Sequence, residues 1–71
     1  MSNLYKDNEY VRDEIMTAWA WMGQKHSKAE WVRFIKGVTI MLANCNPEMQ
    51  DACRAVLNEA SIRSLLTGGN Q

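Results

Sequence analysis

Seventy-one residues make a single domain, residues 1–71, and leave no room for a second. Eight Lys and Arg cancel eight Asp and Glu, which removes the strongly basic balance that a dedicated nucleic-acid binder usually carries. No apolar run approaches the ~20 residues of a bilayer span, and MSNLYKDNEY has no basic stretch leading into an apolar one, so a soluble, cytoplasmic chain without a secretory signal is expected.

In chain order, Val11, Ile15, Ala18 and Met22 recur at i, i+4, i+7 and i+11, the spacing of one helical face, with Trp19 on its flank. Asp7 or Asn8 suits the N-cap, Glu9 suits the first turn, and Gly23 stands where a glycine past the helix end belongs. The spacing predicts a first helix over residues 8–22. Ser27-Lys28-Ala29-Glu30 is a capping box, in which the Ser hydroxyl and the Glu carboxylate each satisfy a free backbone N–H. Behind it Trp31, Phe34, Ile35, Val38, Met41, Leu42 and Cys45 form a broad apolar stripe, and a second helix is predicted over 28–44.

Asn46-Pro47-Glu48 restarts the chain, with Asn as N-cap, Pro at the first helical position and an acid near the positive end of the helix dipole. Met49, Cys53, Val56, Leu57 and Ala60 then share a face. A third helix is predicted over 47–66, followed by a frayed tail over 67–71. No segment alternates with period two, so the fold class is all-α, a small three-helix bundle. The expected core is Val11, Ile15, Trp19, Met22, Trp31, Phe34, Ile35, Val38, Leu42, Cys53 and Val56.

Several apolar or small residues lie off these stripes. Trp21 stands about 80–100° from the first stripe, on the side of Tyr10 and Thr17. Arg33, Gly37, Ile40 and Asn44 share the face of the second helix opposite its core stripe. Beyond Ala60, Ile62, Leu65 and Leu66 point elsewhere, so the third helix either bends near Ser61 or docks its last turn on something outside the bundle. An interface of Tyr10, Trp21, Gly37, Ile40, Ile62 and Leu66 is expected, serving a homodimer and an unidentified protein partner.

Charge is uneven along the chain: residues 1–24 sum to −2, residues 25–45 to +3 and residues 46–71 to −1. Lys25, Lys28, Arg33 and Lys36 therefore form the alternative site, a basic strip for nucleic acid. Against it, the second helix opens on Lys28-Ala29-Glu30-Trp31 and the third on acidic residues, not on the Arg, Lys, Asn or Gln of a recognition helix.

No catalytic constellation appears. His26 has no Ser or Cys in a nucleophile arrangement, and no phosphate-binding glycine loop is present. Two Cys and one His cannot complete a four-ligand zinc site within one chain. No cofactor, metal or catalytic residue is expected. Cys45 and Cys53 fall on core faces and are expected to be reduced, buried thiols.

The opening MSNLYKDNEY, the tryptophan-rich TAWAWMGQKHSKAEW and the ending LLTGGNQ resemble, over the full length, the very small helical accessory proteins that lambdoid temperate phages encode near their recombination genes. The resemblance implies a protein of the host cytoplasm that modulates host or phage development through protein contacts. It brings no catalytic family and no functional residue with it.

Overall fold

The computed structural model describes residues 3–68. A short 3-10 turn, Leu4–Lys6, leads into three helices: α1 (Asn8–Met22), α2 (Lys28–Asn44) and α3 (Pro47–Leu66). No strand occurs among the described residues. The chain runs up, down and up, so α1 and α3 are parallel and α2 is antiparallel to both. Asn8 bonds Glu48 at one end, and Arg63 bonds the Met22 carbonyl at the other. Helix α3 packs against both of its neighbours, whereas the backbones of α1 and α2 stay apart.

Local chemistry sets the helix ends. Asp7, not Asn8, caps α1, its carboxylate accepting from the Glu9 and Tyr10 amides. The capping box of α2 forms as expected: the Glu30 amide donates to Ser27 Oγ at 3.2 Å, and the Ser27 amide donates to Glu30 Oε1 at 2.7 Å. Those bonds favour the ionised carboxylate and hold the Glu30 pKa below its ordinary value. Gly23 departs from expectation. It ends α1 in the right-handed conformation at φ −73°, so the left-handed glycine stop is absent there. Among the described residues the glycine with a positive φ is Gly68, at 46°, just past the Thr67 cap of α3.

Asn46 makes no capping hydrogen bond to α3. Its amide reaches back across the bundle instead, donating to the Lys6 carbonyl at 2.9 Å and to Asn8 Oδ1 at 3.0 Å. Asn8 in turn donates to Glu48 Oε2 at 3.0 Å, which lowers the Glu48 pKa. The loop between α2 and α3 is thereby tied to the start of α1. Asn46→Ala is expected to cost about 1–2 kcal/mol through these lost bonds rather than through a cap. A urea-unfolding double-mutant cycle with Asn8→Ala checks it, because a shared network gives non-additive losses.

The core is a continuous cluster in which Val11, Met22, Cys53 and Val56 are fully enclosed, with Ile15, Ala18, Trp31, Val38, Met41, Cys45, Met49 and Ala60 around them. Phe34, Ile35 and Leu42 are half-buried at its edge. Trp19 is the correction: expected in the core, it stays 44% exposed, because α2 passes the other flank of α1. Cys45 and Cys53 are buried free thiols with their sulfurs 3.7 Å apart. Helix α3 runs unbroken past Ser61, and its core face continues through Ala60 to Ser64. Residues 69–71 of the expected tail lie outside the described residues.

Candidate protein-interaction surfaces

Because α1 and α2 do not touch along their backbones, the space between them is filled from one end by rings. Trp21 leaves α1 sideways and stacks on Phe34 of α2, with centroids 4.3 Å apart and planes 15° from parallel. On its other side His26 stacks at 3.4 Å, and Trp31 meets it edge-on at 4.9 Å. His26 Nε2 lies 2.6 Å from the Trp21 carbonyl oxygen, which can only accept, so the proton sits on Nε2. That bond satisfies one of the terminal carbonyls of α1. Nδ1 faces Glu30 Oε1 at 3.9 Å. The imidazole side chain is only 8% exposed, so the histidine read as solitary in the sequence joins the turn between α1 and α2.

Below this stack the gap remains open as a groove of about 310 Å³. Trp21, Phe34, Val38 and Met41 supply apolar floor, Tyr5 closes the lower end, and Glu14 and Arg33 stand on opposite helices. Tyr10 packs against Tyr5 at 5.9 Å, and the nearby Glu14 carboxylate, ahead of burial and Tyr5, raises the Tyr10 pKa. Gly37 sits on the α2 wall of this groove, and a Cβ added there would meet nothing within 4 Å. A glycine inside a helix costs about 1 kcal/mol relative to alanine. Packing within the chain gives no return for that cost. Three residues on, Ile40 is 55% exposed.

The remaining expected interface residues lie elsewhere. Ile62 and Leu66 border a second, shallower hollow of about 480 Å³ with Gln24, Lys25, His26 and Trp31. Next to it Leu65 is 77% and Leu66 81% exposed. Trp21 and Gly37 thus line the α1–α2 groove, Tyr10 stands beside its Tyr5, Ile40 is exposed on α2 outside its lining, and Ile62 and Leu66 belong to a separate surface at the end of α3. Trp21 in particular spends most of its ring inside the chain.

The basic strip is broken up. Lys28 Nζ donates to the Ser64 carbonyl at the end of α3, where the helix dipole favours a cation. Lys25, Arg33 and Lys36 are exposed and form no ion pair among the described residues. Arg33 and Lys36 are about 60° apart on α2, but Lys28 stands about 140° from Arg33. No cluster of His, Cys, Asp or Glu among the described residues could hold a metal ion, and no helix is long and apolar enough to cross a membrane. In comparisons with protein-family models, curated proteins and solved structures, the chain matches none.

Proposed function

We propose that the chain is a non-enzymatic helical interaction module that self-associates as a homodimer and binds a protein partner in a regulatory or accessory role. Its resemblance to phage accessory proteins makes that role one in phage development or host modulation, in the host cytoplasm. One observation carries the reading. Large apolar side chains (Ile40 on α2; Ile62, Leu65 and Leu66 on α3) stand outside helices whose inward faces are already occupied by a complete core. A small bundle gains stability by covering such surface with another chain.

Sedimentation equilibrium of the purified chain tests it. A mass near twice 8.1 kDa at micromolar concentration is expected, and a monomer throughout would remove the self-association. For the basic strip, the structure favours a negative outcome. With Lys28 tied to α3, too few aligned cations remain for steep phosphate binding. A duplex-DNA titration at physiological salt is expected to show no salt-dependent complex. A complex abolished by Arg33→Glu with Lys36→Glu would reinstate that reading.

A further inference from the structure

The self-association just proposed requires a particular face, and the outer side of α2 is built to pair with itself. Arg33, Gly37, Ile40 and Asn44 are spaced four, three and four residues apart. At about 100° per residue they fall within roughly 60° of one another, as a straight seam about 17 Å long opposite the core stripe. The spacing reads the same in both directions. If a second copy is turned end for end about the point between Val38 and Thr39, its Ile40 lies over Gly37 and its Asn44 beside Arg33. Two-fold symmetry repeats both contacts in reverse.

Each of these pairings joins a projection to a vacancy. Ile40 is exposed, while the space above Gly37 is open and adjoins the apolar groove floored by Trp21 and Phe34. Asn44 donates its Nδ2 to the Ile40 carbonyl at 2.7 Å, which leaves its Oδ1 to accept from an arginine of another chain. Charge selects the antiparallel arrangement. The cations of α2, Lys28, Arg33 and Lys36, all lie at or before its midpoint, and residues 37–46 carry no charge. Parallel copies would set cation beside cation. Antiparallel copies set Arg33 near the negative, C-terminal end of the other α2.

The whole molecule, 41 Å long, repeats this polarity. The end holding the starts of α1 and α3 carries six acidic and three basic residues, and the opposite end carries five basic and two acidic. In an antiparallel pair each basic end lies along an acidic one.

We propose that two copies pair antiparallel through the Arg33–Gly37–Ile40–Asn44 seam, a proposal that rests on the self-association reading. The test is sedimentation equilibrium of the full chain from micromolar to millimolar concentration, at low and high salt. A dimer whose dissociation constant rises with salt is expected. Ile40→Asp should raise that constant by at least about 30-fold, as loss of a central anchor does. Gly37→Met should also weaken the dimer, yet raise the thermal midpoint of the dilute monomer, because its Cβ meets nothing and methionine favours a helix interior over glycine. A glycine needed by the fold would instead lower that midpoint, against the proposal. If both variants stay dimeric while Leu66→Asp becomes monomeric, association belongs to the end of α3; the seam is overturned and self-association stands. A wild-type monomer at every concentration overturns both, leaving the seam to a different protein.

Discussion

Trp31→Ala is expected to remove about 3–5 kcal/mol of unfolding stability, read as a large fall in the urea midpoint and a weakened aromatic circular dichroism signal. Trp31 is almost completely enclosed at the first turn of α2, and it meets Trp21, His26 and Phe34 edge-on at 4.9, 5.6 and 6.0 Å. Removing a buried tryptophan costs about 3–5 kcal/mol, through lost transfer energy and the cavity left behind. A chain of this length has only roughly 4–11 kcal/mol of total stability. The loss is concentrated where the structure has least redundancy, since rings rather than backbone contacts bridge α1 and α2 at that end. Trp19→Ala is the control. The same residue type, half-exposed on the far flank of α1, should cost no more than about 1 kcal/mol. Equal losses at the two positions would show that the ring cluster is not what holds α1 to α2.

The second large effect is alkaline. Burial, then the hydrogen bond and charge of the neighbouring Cys45 thiol, push the Cys53 pKa from an ordinary value of 9.0 up to about 11. Below pH 9 the folded and unfolded chains both keep this proton, and the stability is fully present. As pH rises from 9 towards 11 the unfolded chain releases the proton while the folded chain retains it, so folding loses about 2–3 kcal/mol. Urea unfolding on either side of this window measures the loss. Cys53→Ala should lower stability at neutral pH yet flatten the alkaline decline. An equally steep decline in that variant would assign it to other groups. The same protonation keeps Cys53 slow towards thiol reagents at neutral pH while the chain remains folded.

The sequence by itself determined the three helices, their ends and the stripes that form the core. Helix hydrogen bonds span four residues and caps span three, so the Asp7 cap, the Ser27–Glu30 box and Pro47 at the start of α3 act within a few residues of themselves. The apolar period then names the inward face without reference to any neighbour. The tertiary structure alone decided what lies beside each stripe. Trp19 and Trp21 flank the Val11–Met22 face at similar angles on opposite sides, and nothing local says which flank α2 will pass. It passes Trp21, so that ring is stacked and Trp19 is left to solvent. For the same reason Asn46, a cap by its sequence position, bonds residues 38 and 40 positions away. Lys28, one of the expected basic strip, ends a helix that begins nineteen residues after it. Such contacts depend on how packed helices are placed in space, and that placement is set by the whole core together rather than by any short stretch of chain.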